Sequence, residues 1–235
     1  MTAADMSIRQ MRIGVLGGSF NPVHNGHLRL AIEAMEILGL DRVELIPSAV
    51  PPHKEPEGLL PFGLRCRWVR EAIGDHPGLH CNVMEGRRKG PSYTQDTLEE
   101  LARSLPGARL FFLLGVPDLL TLPSWKGGLE LFHRADIVAV ARQDMALEDA
   151  RGFIEKHCSR AVEPERRESP RGVVWRWILG QNRNRMLLIH PPFLDISSTM
   201  IRNYWRTGRN MKYLVPDPVL KQMERRDSML GRFWK

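Results

Sequence analysis

Residues 12–27 decide the fold, and their sequence is RIGVLGGSFNPVHNGH. The short, mainly apolar run at 12–16 stops at a pair of glycines, which is typical of a buried parallel strand. Beyond the turn, apolar side chains recur at helical spacing over residues 28–38, and Gly39 follows where a helix C-cap is expected. We therefore predict a strand, a glycine turn and a helix within this first segment.

The same alternation of strands and helices continues along the chain. A second strand at 43–46 completes a βαβ unit, whose right-handed crossover implies a parallel sheet. The later predicted elements are helices at 64–73 and 94–103, strands at 110–114 and 137–141, a strand that includes 187–189, and a helix that begins at Ser197. We therefore predict an α/β fold with a doubly wound, mostly parallel, Rossmann-like sheet in a single domain.

The length of the chain, 235 residues, suits one large α/β domain or one domain with an insertion. We assign residues 1–11 to a loose N-terminal extension, with Met11 as an alternative start. Residues 12–226 form the predicted domain and residues 227–235 a C-terminal tail. Within the domain, residues 144–186 break the alternation and are treated as an insertion or variable segment.

Basic and aromatic residues are concentrated in this insertion. They are Arg160, Arg166, Arg167, Arg171, Trp175, Arg176, Trp177, Arg183 and Arg185. Two interpretations stay open: a solvated insertion that is part loop and part edge strand, or a nucleic-acid patch in which arginines hold phosphates and aromatic rings stack on bases. The first is favoured because runs of charge are usually solvated faces.

Composition narrows the class of protein and its partners. A hydrophobic fraction of 43% and a charged fraction of 26% exclude disorder, collagen and coiled coil as global descriptions. The net charge of +7 favours anionic partners: nucleic acid, a membrane surface or phosphorylated small molecules. No apolar run approaches the roughly 18 to 20 residues of a membrane span, so we predict no membrane partner. Three widely spaced cysteines without a CxxC pair favour a cytoplasmic protein without a disulfide framework.

The glycine turn predicts an anion site. Gly17 and Gly18 let the backbone approach a ligand closely, because a Cβ there would occupy the space that a phosphate needs. Backbone N–H groups around Ser19 and Phe20, together with the helix N-terminus beyond them, can then hold the phosphate. The stretch lacks both GxxxxGK[ST] and GxGxxG, so it is neither a Walker A loop nor a dinucleotide fingerprint.

Two histidines lie across the first turn of the predicted helix. His24 and His27 are three residues apart, so both rings can point to the same side of the helix mouth. Two imidazoles aimed at a phosphate suit charge stabilisation in phosphoryl or nucleotidyl transfer. A pair of capping or core histidines is the alternative, and the surrounding strand, glycine pair and helix start favour the functional role. HxxH lacks the glutamate and the spacing of a zincin, so no metal-ligand set is predicted.

The window at 17–27 resembles the (T/H)xGH-type signature of the nucleotidyltransferase superfamily. Four further stretches follow in order: IPSAVPPHK at 46–54, PSYTQDTLEEL at 91–101, FFLLGVPDLLTLPSW at 111–125 and ISSTMIR at 196–202. Together the five resemble the bacterial nicotinate-mononucleotide adenylyltransferases, and the resemblance runs from about residue 11 to residue 223. It implies a nucleotidyltransferase-type fold.

The resemblance implies residues for both parts of a triphosphate site. His24 and His27 would be catalytic and bind the ATP phosphates, with the backbone of Gly17, Gly18, Ser19 and Phe20 lining the nucleotide. Lys54 would be a second phosphate ligand, although an ordinary exposed lysine is the alternative there. In the ISSTMIR stretch Ser197 can cap a helix, Ser198 and Thr199 add hydroxyls, and Arg202 lies four residues after Ser198 on the same face. The resemblance implies that this stretch binds the triphosphate.

The resemblance also implies a site for nicotinate mononucleotide. Ser92, Tyr93 and Thr94 would contact the pyridine carboxylate through backbone amides and a hydroxyl, and Trp125 would stack on the pyridine ring. A packing role is the alternative for Trp125. The chain departs from the family after the FFLLG strand, because GVPD at 115–118 places Asp118 one position later than the usual GxD. Asp118 either performs the same task from a shifted turn or has lost that contact.

The activity implied is in-line attack by the 5′-phosphate of nicotinate mononucleotide on the α-phosphorus of ATP. Mg²⁺ would arrive with the triphosphate and keep several waters. The rivals are a phosphopantetheine adenylyltransferase, a cytidylyltransferase, an adenylyltransferase for nicotinamide mononucleotide and, from another class, a nucleic-acid-binding module on the same fold. The sequence leaves open the preference between acid and amide, and the oligomeric state, a homo-oligomer included.

Overall fold

A computed structural model describes residues 9–52, 57–141, 147–158, 164–179, 184–192 and 194–235. In these ranges one eight-stranded sheet has the strand order β3-β2-β1-β4-β5-β8-β7-β6. The strands are β1 (Arg12–Gly18), β2 (Arg42–Pro47), β3 (Leu79–Cys81), β4 (Arg109–Gly115), β5 (Asp136–Val140), β6 (Glu165–Ser169), β7 (Gly172–Leu179) and β8 (Asn184–Ile189).

Helices cover both faces of this sheet. They are α1 (Asn25–Leu38), α2 (Phe62–Ile73), α3 (Thr94–Ser104), α4 (Val116–Thr121), α5 (Leu147–His157), α6 (Ser198–Arg206), α7 (Asp217–Arg225) and α8 (Asp227–Leu230), with short 3₁₀ turns at Met84–Arg87, Leu122–Ser124 and Leu129–His133. Among the helices so described, none is long and apolar enough to cross a membrane.

The topology confirms the predicted doubly wound sheet. β3, β2, β1, β4, β5 and β8 are parallel neighbours, and only the β8-β7 and β7-β6 pairs are antiparallel. β2 and β3 are added on one side of β1, and the chain then crosses to the other side, where β4 pairs with β1. The predicted C-cap is also confirmed, because Gly39 has a left-handed backbone (φ 61°) and its N–H donates to the Met35 carbonyl.

Successive side chains of each central strand point to opposite faces of the sheet and pack into two separate cores. Leu16 and Leu113 belong to the core that packs against α1, α2, α6 and α7. Val15 and Phe112 belong to the core on the opposite face, which packs against α3, α4 and α5. Burial on both faces explains why β1 and β4 are continuous apolar runs and do not alternate with polar residues.

A buried carboxylate joins three strands at the amino edge of the sheet. Asp136 accepts two hydrogen bonds from the Arg109 guanidinium (2.7 and 2.9 Å) and one from the Arg185 backbone N–H (2.8 Å). The pKa of Arg109 is raised, chiefly by its hydrogen bond with Asp136. This network connects the beginnings of β4, β5 and β8.

The Arg-rich segment contains a β-hairpin in the part that the structure describes. β6 is exposed along its whole length and forms the edge of the sheet. Its Glu165 forms ion pairs with Arg167 and Arg176, while Trp177 on β7 is buried in the core. Arginines that form ion pairs within the hairpin, and a tryptophan in the core, favour the solvated-insertion interpretation over a nucleic-acid patch. Arg160 and Arg183 lie outside the described residues.

The last residues pack against the domain that precedes them. Trp234 is 3% exposed, its Nε1–H donates to the Gly58 carbonyl (3.1 Å), and its ring makes edge contacts with Trp68 and Trp205. Leu230 is also buried in the core. These contacts fall within residues 227–235, the predicted C-terminal tail. The predicted domain boundaries themselves stay a prediction.

We expect Trp234→Ala to lower the free energy of unfolding by about 3–5 kcal/mol, because truncating a buried tryptophan loses transfer free energy and leaves a cavity. Urea unfolding followed by circular dichroism measures this difference. Arg232→Ala, at an exposed position of the same segment, is the control and should change stability little. Equal stability of the two variants would show that the segment is peripheral.

Candidate active site

A cavity of about 400 Å³ opens at the carboxyl ends of β1 and β4. After β1 the chain enters α1 on one face of the sheet, and after β4 it enters α4 on the other. The two connections therefore diverge and leave a crevice at the topological switch point, which is where open α/β sheets bind ligands. The start of α3 and the segment after α4 form the remaining walls.

The structure brings most of the predicted site residues to this cavity. Those that line it are Gly17, Gly18, Ser19, His27, Ser92, Tyr93, Thr94, Asp118 and Trp125. Phe20 and His24 are buried beside it. Residues 197–199 and Arg202 are on α6 or cap it, next to the loop that carries the histidines. Lys54, and His53 beside it, lie outside the described residues.

The two histidines are stacked at the start of α1. Their ring centroids are 3.7 Å apart, and the Nδ1 atom of His27 accepts a hydrogen bond from the His24 backbone N–H (3.3 Å). An accepting Nδ1 places the proton of neutral His27 on Nε2, which then serves as a donor. The edge of the Phe20 ring packs on His27 at 4.8 Å between centroids. His27 is thus held in one orientation and tautomer, and buried His24 supports it.

A buried arginine that sequence reasoning missed braces the glycine turn. Arg65 on α2 is fully buried and donates to the carbonyls of Ser19 (2.7 Å), Leu60 (2.9 Å) and Ala49 (3.4 Å). Desolvation by burial lowers the pKa of its guanidinium. A lone arginine four residues before Val69, on the apolar face of a predicted helix, was the available signal.

The backbone of Phe20 is strained at the same turn. Phe20 has φ 45°, in the left-handed region that residues with a Cβ rarely adopt, and its side chain is buried. Burial of the ring and the Arg65 contact at the preceding carbonyl hold this conformation. Strain of this kind persists where the surroundings over-determine the backbone, as at ligand-binding turns.

The beginning of α6 is fastened to the histidine loop. Ser197 caps the helix as predicted, since its side chain accepts from the Met200 N–H (3.1 Å). Ser198 Oγ donates to the Pro22 carbonyl (2.8 Å). Arg202 donates to the Asn21 carbonyl (2.9 Å) and to Thr199 Oγ1 (3.1 Å).

The surroundings of Arg202 also lower the pKa of its guanidinium group. Its pKa is lowered, first by desolvation and then by repulsion from Arg206. An anion bound beside it would offset both effects by favourable electrostatic attraction. Its role as a phosphate ligand stays a prediction.

Ser92 has a structural task in this arrangement. Its hydroxyl oxygen accepts from the backbone N–H groups of Ala49 (3.0 Å) and Val50 (3.2 Å), and its own N–H donates to the Val50 carbonyl (2.8 Å). Ser92 therefore ties the entry of α3 to the loop after β2. The Thr94 N–H, at the first position of α3, has no acceptor within the helix and is the amide of this segment best suited to a ligand.

A polar network that the sequence did not reveal supports α3 from inside. Thr97 Oγ1 donates to Glu85 Oε1 (2.6 Å) and accepts from the Arg88 guanidinium (2.5 Å). Glu85 and Thr97 are buried and both contribute to the cavity wall. No short-range pattern joins these positions, because the 3₁₀ turn and the helix that carry them meet only in the folded chain.

The pyridine end of the predicted site has aromatic walls. Trp125 is half-buried, and its ring makes an edge contact with Phe112 at 6.5 Å. Lys126, which sequence reasoning did not single out, also lines the cavity and lies over the Tyr93 ring. The displaced Asp118 is exposed in the first turn of α4 and still lines the cavity. Pro117 stands at the start of α4, where its missing N–H costs no helical hydrogen bond.

Comparison with known proteins identifies the family of this chain. The cytidylyltransferase-like family model matches residues 15–204. A protein from Geobacter metallireducens named "Probable nicotinate-nucleotide adenylyltransferase" is 41% identical over 214 residues, covering 89% of this chain and 94% of the relative. A protein of the same name from Maridesulfovibrio salexigens is 36% identical over 225 residues, covering 96% and 100%.

Solved structures share the fold. Nicotinic acid mononucleotide adenylyltransferase of Plasmodium falciparum, complexed with NaAD, has a TM-score of 0.70 at 15% identity, covering 96% of this chain and 100% of that one. The same enzyme complexed with APC has a TM-score of 0.68 at 14% identity. With a family model that spans the histidine loop, β4 and most of α6, and relatives that align over nearly their full length, the chain belongs to the nicotinate-nucleotide adenylyltransferase family of cytidylyltransferase-like proteins.

Proposed function

We propose that this protein transfers the adenylyl group of ATP to nicotinate mononucleotide, forming nicotinate adenine dinucleotide and pyrophosphate in NAD biosynthesis. One observation carries the proposal: a single cavity at the switch point has the fixed His27 donor and the glycine turn in its wall, together with Trp125 and Tyr93. It therefore offers a phosphate site and an aromatic site to two substrates at once. The names of the relatives support the same activity.

The chemistry needs positioning and charge stabilisation more than proton transfer. A 5′-phosphate oxygen of nicotinate mononucleotide attacks the α-phosphorus of ATP, the new P–O bond forms as the bond to the β-phosphate breaks, and pyrophosphate leaves. The attacking phosphate is already an anion at neutral pH, so no general base is required. His27 Nε2–H stabilises the charge that develops on the α-phosphoryl oxygens, and His24 keeps the His27 ring in place.

Magnesium enters this scheme as part of the substrate. MgATP carries its own cation, which neutralises phosphate charge and retains several waters. In the described part of the chain, no group of three or more His, Cys, Asp or Glu side chains could hold a metal ion. In the proposed scheme the cation is delivered by ATP and leaves with pyrophosphate.

The second substrate occupies the aromatic end. Trp125 offers an indole face to the positively charged pyridine ring, a favourable cation–π pairing. The Thr94 N–H is at the positive end of the α3 dipole, which supports a role for it as a donor to the pyridine carboxylate. Ser92 contributes by fixing the position of this helix start.

We expect His27→Ala to lower kcat for pyrophosphate release from MgATP and nicotinate mononucleotide by roughly 10²–10³-fold, the usual effect of removing one donor to a developing oxyanion. His133→Ala, which removes an exposed histidine that does not line the cavity, is the control and should retain full activity. An unchanged kcat in the His27 variant would exclude His27 from the transition state.

We expect Trp125→Ala to raise KM for nicotinate mononucleotide by about tenfold while KM for ATP changes little, since a cation–π contact is worth up to about 2 kcal/mol. Initial rates with each substrate varied in turn separate the two constants. Trp125→Phe should lose less, because it retains an aromatic face. Equal increases in both KM values would assign Trp125 to packing.

A further inference from the structure

The pyridine end of the cavity contains a cation that the proposed function has not used. Of the described residues that line the cavity, Lys126 is the one lysine or arginine. It directly follows Trp125, which the proposed function assigns to the pyridine ring, and both residues line the cavity. The two carboxylates in the same wall belong to Glu85, which is paired with Arg88, and Asp118 on α4.

The contacts of Lys126 leave its ammonium group available to a ligand. The Nζ atom lies 4.2 Å from the centroid of the Tyr93 ring and 3.9 Å from Asp96 Oδ2. Both partners of this ion pair are open to solvent, with side-chain exposures of 54% for Lys126 and 40% for Asp96. A pair at this distance and exposure is weak, so a better-placed carboxylate can compete for the lysine.

The chemistry of the second substrate supplies such a carboxylate. Nicotinate and nicotinamide mononucleotides have the same ring, ribose and phosphate, and differ in a single group that is a carboxylate in one and an uncharged carboxamide in the other. Backbone N–H groups at the start of α3 can bond to the oxygen of either group, and Trp125 stacks on either ring. The carboxylate also has a full negative charge that the carboxamide lacks, so a cation beside it adds to whatever discrimination the backbone N–H groups provide.

We propose that the Lys126 side chain selects nicotinate over nicotinamide mononucleotide by pairing with the pyridine carboxylate beside Tyr93. This inference rests on the proposed function and adds a specificity-determining residue to it. The ammonium group lies over the ring of Tyr93, the N-cap of α3, and so is near the helix start to which the proposed function assigns the carboxylate. The Asp96 carboxylate keeps the Lys126 ammonium group near this position and competes with the substrate carboxylate for it.

The rival role for Lys126 is a structural clamp between the segment after α4 and α3. The two roles make opposite predictions for Asp96. If Lys126 selects the substrate, removing the competing carboxylate strengthens the preference for the acid. If the ion pair is a clamp, removing either partner has the same effect.

The test measures kcat/KM for nicotinate and nicotinamide mononucleotides, each with saturating MgATP, in the wild type and four variants. Lys126→Met removes the charge and keeps the length, Lys126→Arg keeps the charge, and Asp96→Asn removes the competitor. Lys221→Met removes a lysine from an exposed position of α7, with the same change in net charge. Thermal unfolding of each variant confirms that it is folded.

We expect Lys126→Met to reduce the acid-to-amide ratio by about tenfold, equivalent to about 1.4 kcal/mol, mainly through KM for the acid. Lys126→Arg should keep most of the ratio, Asp96→Asn should raise it, and Lys221→Met should leave it unchanged. Added salt should lower the wild-type ratio, since the charges are half exposed, and should not affect that of Lys126→Met.

A ratio within twofold of wild type in Lys126→Met would overturn the inference while leaving the proposed function intact. Equal losses in Lys126→Met and Asp96→Asn would assign the pair to a clamp and overturn it as well. Absence of turnover with either mononucleotide in the wild type would instead refute the proposed function, and the inference with it.

Discussion

The parallel pairing of β1 with β4 is the interaction on which the rest of the structure depends. Leu16 lies opposite Leu45 of β2 on one side and Leu113 of β4 on the other, so β1 is hydrogen-bonded along both edges. The chain leaves these two strands towards opposite faces of the sheet, into α1 and α4. A crevice must form between two diverging connections. Gly17 and Gly18 lie at its edge because they end β1, and His27 lies there because the histidine loop follows that strand.

The two ends of the sheet are stabilised in different ways, and the difference suits their tasks. At the amino edge, Asp136 is buried and bonded to Arg109 and the Arg185 N–H, a network that fixes the starts of three strands. At the carboxyl edge, the hydrogen-bond acceptors of Arg65 are backbone carbonyls, among them that of Ser19. This arginine holds the turn and, in the described part of the chain, forms no ion pair with a carboxylate.

The sequence predicted what is local and missed what depends on tertiary contact. The strand–turn–helix order, the Gly39 C-cap and the Ser197 N-cap follow from short-range patterns, and each is present in the structure. Asp118 also reaches the cavity in spite of its displaced position. The association of Thr97 with Glu85 could not be foreseen, because it joins a helix to a distant 3₁₀ turn. Trp234 was assigned to a tail because a single tryptophan near a terminus has no periodicity to reveal its burial.

Net charge predicted anionic partners, and the structure shows which charges can act on them. Arg166, Arg167 and Arg176 of the β6-β7 hairpin form ion pairs with glutamates of the same hairpin and are already engaged there. Near the cavity, the charge of Arg65 is buried under the glycine turn and Arg202 is half-buried behind the histidine loop. Lys126 is exposed at the opposite end.

The degree of burial determines which function each of these charged side chains can serve. Buried cations whose donors are bound to carbonyls cannot move, so they suit the reaction centre, where pre-organisation lowers the barrier. An exposed lysine on a flexible stem suits the recognition of one substituent, which needs attraction and little rigidity. The position of each charge, and not the sum of +7, therefore determines what the cavity can bind and where the reaction takes place.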